Sequence, residues 1–250
     1  MTISYDVAGD GPAVVLLHSS VCDRRMWDGQ WQALVGAGYR VVRLDFRGFG
    51  ESPMADAPYS DAGDVLDLLD RLGVERAALV GASYGGKVAL EVAATRPEAV
   101  TALALLGAGM PGHDHSAELR AFGGKEDELL EAGDVAGAVE LNVDAWLGPE
   151  AGEEARALVR EMQRNAFEVQ LAATEFFRSS PEVDLGKVTA RCLAVAGAHD
   201  FADFREIAAV LPERIAGPAR HVELAWAGHL PNLERPAEVT DLLLGFLGGE

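Results

Sequence analysis

Between Leu79 and Leu90 the chain reads Leu-Val-Gly-Ala-Ser-Tyr-Gly-Gly-Lys-Val-Ala-Leu, and this stretch leaves the backbone little choice. An apolar run, Ala77 to Val80, ends in Gly81-Ala82-Ser83-Tyr84-Gly85, and helix-forming residues follow at once. A serine with glycine two residues before and two after it, where a strand gives way to a helix, is the pattern of a nucleophile on a sharp turn. The reason for the spacing is steric. The serine sits in a strained conformation, so both flanking positions must be nearly free of side chain. Held there, the hydroxyl projects from the sheet edge over a helix N-terminus, whose dipole favours developing negative charge.

The same strand-to-helix rhythm extends in both directions. Thr2 to Val7 alternates as a short strand, and Ala13 to Leu17 is a continuous apolar run, as in a strand buried on both faces. Trp27 to Val35 has helical spacing, Arg40 to Leu44 reads as a strand, and Asp61 to Leu72 as an amphipathic helix. After Ser83 come a helix from Gly85 to Thr95 and a strand from Val100 to Leu106. Between Gly107 and Pro181 no strand is evident. Acidic helical segments fill that stretch at Ala117 to Ala132, Val135 to Leu147 and Glu153 to Phe177. Alternation then resumes with strands at Cys192 to Ala196 and Ala219 to Leu224, and helices at Asp203 to Leu211 and Pro236 to Leu247. This predicts an α/β fold, a mostly parallel sheet with helices on both faces. Residues 1–106 and 182–250 form its core, and 107–181 an inserted helical lid over the carboxyl edge, where open α/β sheets bind ligands.

Composition excludes more than it assigns. At 250 residues, 49% of them hydrophobic, the chain is long enough for one domain with a substantial core. A formal net charge of −19 argues against nucleic acid and anionic membranes as partners. No run approaches a membrane span, and the start at Met1 lacks the basic and apolar regions of a secretory leader. Two cysteines, Cys22 and Cys192, are too few for a disulfide framework and fit a reducing compartment. A cytoplasmic location is expected.

A serine nucleophile needs a base, and the base an orienting carboxylate; in hydrolases of this strand-to-helix architecture the chain order is Ser, then Asp or Glu, then His. Asp200 follows the strand at Leu193 to Ala196, and His229 follows the next strand within Gly228-His229-Leu230-Pro231. Both therefore belong to the sheet edge that carries Ser83. Asp203 competes with Asp200 and reads instead as a residue near a helix start. The oxyanion hole should use two backbone N–H groups, one from Tyr84 and one from Ser20, with Val21 as the alternative. His18 is expected to hold that loop. Trp146, Phe176 and Phe177 are candidates to wall a pocket, Trp146 as the substrate-binding residue. His113-Asp114-His115 has the look of a metal pair without a third ligand and reads as a polar lid loop. His199 and His221 read as surface or turn residues. Cys22 lies near the oxyanion loop but has no base of its own.

Taken together, Val14 to Leu17 with His18-Ser19, Asp45-Phe46-Arg47-Gly48-Phe49-Gly50-Glu51-Ser52, Gly81 to Gly85, Gly197 to Asp200 and Gly228-His229 resemble the α/β-hydrolase superfamily over nearly the whole chain. The loop from His18 to Asp28 is similar to that of the 3-oxoadipate enol-lactonases. One departure is that Ser19 stands where the family usually has glycine. The serine nucleophile separates the chain from the epoxide hydrolases and haloalkane dehalogenases of this fold, which use aspartate. The resemblance implies hydrolysis of a small ester or lactone through Ser83, His229 and Asp200 without metal or cofactor, with activity rising with pH as His229 loses its proton. Carbon–carbon bond hydrolysis, cofactor-free perhydrolysis and a non-catalytic ligand receptor are the alternatives.

Overall fold

A computed structural model describes residues 3–173 and 177–249. Within them, seven strands form one sheet in the order β1-β3-β2-β4-β5-β6-β7. The strands are β1 (Tyr5–Ala8), β2 (Ala13–Leu17), β3 (Arg40–Leu44), β4 (Ala77–Ala82), β5 (Val100–Leu106), β6 (Arg191–Gly197) and β7 (Ala219–Leu224). Only β1 is antiparallel, running along β3 with Tyr5 opposite Leu44. The central strand β4 has no exposed position, every one of its residues being buried. This is the expectation for a parallel sheet covered on both faces.

The helices are α1 (Asp28–Gly36), α2 (Asp61–Arg71), α3 (Tyr84–Thr95), α4 (Ala117–Glu131), α5 (Val135–Trp146), α6 (Glu153–Leu171), α7 (Ala202–Arg214), α8 (Pro231–Glu234) and α9 (Pro236–Gly248). They divide the core in two. One apolar cluster joins Val15, Leu17, Leu79 and Leu103 to α2 and α3, and the other joins Val14, Leu16, Val80 and Leu193 to Trp27, Val239 and Leu243. Successive strand residues thus point to opposite faces, the period-2 rule of a pleated sheet. Local signals set the helix starts. Ser60 accepts the Gly63 N–H ahead of α2, Ser116 the Leu119 N–H ahead of α4, and Asp134 the Gly137 N–H ahead of α5.

Several details differ from the reading of the sequence, among them that β1 begins at Tyr5 and that α7 runs on to Arg214. The turn Arg24–Trp27 is 3-10, because the Asp23 carboxylate caps the Arg25 N–H, so α1 starts one residue after Trp27. The short α8 follows His229 directly. Helix α6 ends at Leu171, six residues before Phe177. Thr2, the expected start of the first strand, and Phe176, an expected pocket wall, lie outside the described residues. Among the described residues no helix is long and apolar enough to cross a membrane.

Candidate active site

The elbow after β4 has the predicted strain. Ser83 adopts φ 51° and ψ −114°, and among the described residues it is the one non-glycine with positive φ. Two glycines make the turn possible by close approach. A Cβ on Gly81 would stand 2.5 Å from the Gly85 carbonyl oxygen, and one on Gly85 2.3 Å from the Leu17 carbonyl oxygen. The elbow is therefore pressed onto the end of β2. Gly85→Ala is expected to destabilise the fold by about 2–3 kcal/mol, since backbone on both sides must move. Urea unfolding measures this, and a loss under about 0.5 kcal/mol would show that β2 and the elbow separate freely.

Four adjacent strand ends bring the other groups together. The Ser83 N–H donates to Leu106 O at the end of β5 (2.9 Å), and the Gly109 N–H donates to Ser83 O (3.0 Å). Gly107, with φ 52°, lies against the His229 ring, where a Cβ would be 3.0 Å from Nδ1. Asp200, just past β6, accepts the Phe201 N–H on Oδ1 (2.7 Å) and pairs through Oδ2 with His229 Nδ1 (2.7 Å). Both side chains are buried. With Nδ1–H turned to the carboxylate, Nε2 is the free nitrogen, and it is buried without a hydrogen-bond partner. The rings of Trp146 and Phe204 close on the imidazole at 4.5 and 4.2 Å between centroids. Asp203, the competitor, belongs to α7 and points elsewhere: its Oδ1 accepts the Ser116 N–H (2.7 Å) and contacts His113 Nε2 (3.2 Å).

On the far side, Ser19 to Cys22 form a tight turn, with the Cys22 N–H on Ser19 O (3.0 Å) and the Ser19 N–H on Met26 Sδ (3.3 Å). The Val21 N–H turns back to Ser19 Oγ at 3.5 Å. Among the described residues the N–H groups of Ser20 and Tyr84 make no hydrogen bond. The Tyr84 side chain is tied down separately, its hydroxyl donating to Asp61 Oδ2 (2.5 Å). Burial pushes the Asp61 carboxyl up, against the opposing pull of that bond. Cys22 is fully buried, and burial followed by the neighbouring Asp23 raises its thiol well above the ordinary range, which disfavours the thiolate a nucleophile needs.

His18 anchors the turn from within. Its Nε2 accepts the Phe46 N–H (2.9 Å), so Nδ1 carries the proton and donates to Ser19 O (2.7 Å). Burial of the charged form lowers its pKa, outweighing the attraction of Asp45. Since the folded value lies below the unfolded one, this contribution to stability is fully present above about pH 6.5 and is lost as pH falls toward the folded value. Between about pH 6.5 and 5.5 wild-type unfolding free energy is expected to fall by up to about 1 kcal/mol more than that of His18→Gln. Urea curves at the two pH values check this, and parallel losses would mean that His18 takes up its proton equally in both states.

Several residues here carried no signal in the sequence. Phe204, Asp61 and Gly107 meet the site only through the fold. Gln163, on the buried face of α6, leaves its Oε1 without a partner. His199 and His221 are exposed. Among the described residues no three His, Cys, Asp or Glu side chains are grouped to hold a metal ion.

Comparison with known proteins adds an independent line. The model of the alpha/beta hydrolase family matches residues 14–242. RutD of Variovorax paradoxus, provisionally named a carbamate hydrolase, is 32% identical over 267 residues, covering 99% of this chain and 96% of the relative. The crystal structure of the enol-lactonase from Burkholderia xenovorans LB400 superposes with a TM-score of 0.79 at 26% identity, over 98% of this chain and 96% of that one. A thermophilic esterase from Thermogutta terrifontis gives 0.80 at 25% identity, over 98% and 92%. Fold, elbow and relatives agree, and the chain is a member of the alpha/beta hydrolase family of enzymes.

Proposed function

We propose that the chain is a serine hydrolase that cleaves a carboxylic ester or lactone of a small molecule. The observation that carries this reading is the orphaned His229 Nε2, buried and unpartnered on the sheet edge that holds the strained Ser83, while Asp200 engages the opposite nitrogen. Nε2 takes the proton of Ser83 Oγ as that oxygen attacks the carbonyl carbon. Asp200 holds the tautomer and stabilises the imidazolium. The N–H groups of Ser20 and Tyr84 bind the tetrahedral oxyanion, each worth roughly 3 kcal/mol. The preference for Ser20 over Val21 rests on the Val21 N–H being turned toward Ser19 Oγ. His229 then protonates the leaving alkoxide, and water deprotonated by the same nitrogen releases the acid.

Helices α4 to α6, between residues 107 and 181, are the lid in this reading, and Trp146 walls the pocket beside the imidazole. The enol-lactonase and the esterase among the structural neighbours support the choice of ester and lactone. The test is intact-mass labelling by a fluorophosphonate, followed by panels of p-nitrophenyl esters, lactones, carbamates and vinylogous diketones. One adduct with turnover of esters or lactones is expected. A folded protein that takes no adduct would sink the reading, and selective turnover of carbamates or diketones would replace the substrate class.

A further inference from the structure

The buried amide of Asn142 on α5 makes three hydrogen bonds that lead to the imidazole. Its Nδ2 donates to Glu126 Oε2 on α4 (2.5 Å) and to Ala138 O one turn back (2.9 Å). Its Oδ1 accepts the indole N–H of Trp146 (2.7 Å). Both amide hydrogens and one carbonyl lone pair are thereby used, and Asn142 is only 1% exposed. The indole pinned in this way lies 4.5 Å from the His229 ring between centroids, and the Trp146 carbonyl accepts the backbone N–H of His229 (3.0 Å). Phe204 approaches His229 from a second side and touches Trp146 at 5.8 Å. Asp200 holds one ring atom, about which the imidazole could still swing. The indole, the Phe204 ring and Gly107 together limit that swing.

We propose that Asn142 is a positioning residue: through Trp146 it sets the orientation of the His229 ring, so helices α4 and α5 complete the base as well as cover it. This rests on the reading of His229 as general base. Because the Asn142 side chain is buried and both its amide hydrogens are paired, a rearrangement of the amide would leave a buried donor unpaired, which favours the one geometry. Displacing a reacting group by about 1 Å costs on the order of 100-fold in rate.

Asn142→Leu keeps the branched outline of the side chain, in a larger volume, and removes all three bonds. Its kcat is expected to fall about 10- to 100-fold on both p-nitrophenyl acetate and p-nitrophenyl octanoate, with KM within about twofold and fluorophosphonate labelling slowed in parallel. The Nδ1 proton of His229, read by NMR, is expected to broaden or shift. Trp146→Phe, which keeps a ring wall but lacks the N–H, should show the same pattern and serves if Asn142→Leu fails to fold. An unchanged Nδ1 proton and labelling rate in a folded variant would overturn the proposal. So would a defect confined to the longer ester with a raised KM, which would leave Trp146 as a pocket wall only. The proton signal is read without turnover, so a wild type inert to every ester would defeat the hydrolase reading separately from this one.

Discussion

Ser83→Ala is expected to lower kcat for ester hydrolysis by about 10⁴- to 10⁶-fold and to abolish the fluorophosphonate adduct, with the fold unchanged. The size of the loss follows from the chemistry: without Oγ no acyl-enzyme forms, and what remains is the oxyanion donors acting on water. The absence of a folding penalty follows from the backbone. Alanine at φ 51° is as strained as serine there, so the substitution neither relieves nor adds strain. Ser83→Gly separates the two effects. It should be equally inactive yet more stable, by about 1 kcal/mol, because glycine adopts that φ without cost. Intact mass, kcat and urea unfolding on the three proteins measure this directly. If Ser83→Ala kept more than about a hundredth of the wild-type rate, the nucleophile would lie elsewhere. Cys22 is no substitute, with its thiol buried and its pKa raised.

Why Ser83 was legible in the sequence, while Asn142 was not, comes down to how far apart in the chain the cause and the effect lie. The elbow is a local object. Gly81, Ser83 and Gly85 are packed against one another and against β2, so the constraint is written within five residues. The strands β2, β3 and β5 are also local, as short runs rich in apolar or β-branched residues between turns, and their bounds match the sequence reading. Asp200 and His229 were reachable by one more step, since a residue following a parallel strand must stand on the carboxyl edge. The 3-10 turn before α1 depended on a single carboxylate, Asp23, and four-residue α8 is too short for any periodicity to register.

The packing around the imidazole is of another kind. Phe204, Trp146 and Gly107 come from α7, α5 and the end of β5, and nothing in their own neighbourhoods marks them as partners of His229. Trp146 stood out only as an aromatic in an acidic helical segment. Asn142 and Glu126 looked like ordinary helix residues, and only the fold shows that their side chains face inward and bond each other. His113-Asp114-His115 reads as a polar lid loop, but nothing in its spacing points to the contact of His113 with Asp203. Sequence spacing finds groups that share a turn or a strand end. It does not find groups whose common surface is made by helices packing late over the sheet.

Asp200→Asn is expected to lower kcat by about 10⁴-fold with little change in KM or stability, and the geometry explains why asparagine should do more harm than its shape suggests. Oδ1 of Asp200 already accepts the Phe201 N–H at 2.7 Å. An asparagine would keep its carbonyl oxygen on that donor and so turn its amide N–H₂ toward His229 Nδ1. A donor there forces Nδ1 to accept, and the ring proton moves to Nε2, the atom that must receive the proton of Ser83. The substitution therefore locks the imidazole in the unproductive tautomer while leaving every heavy atom in place. Asp203→Asn is the control. Its oxygen can still accept the Ser116 N–H, it makes no bond to His229, and kcat should stay within about threefold of wild type. Both variants are read by kcat and KM on one ester and by urea unfolding. A folded Asp200→Asn retaining more than about a tenth of wild-type kcat would mean that the carboxylate is not what sets the tautomer, whereas a large loss in Asp203→Asn alone would transfer the orienting role to α7.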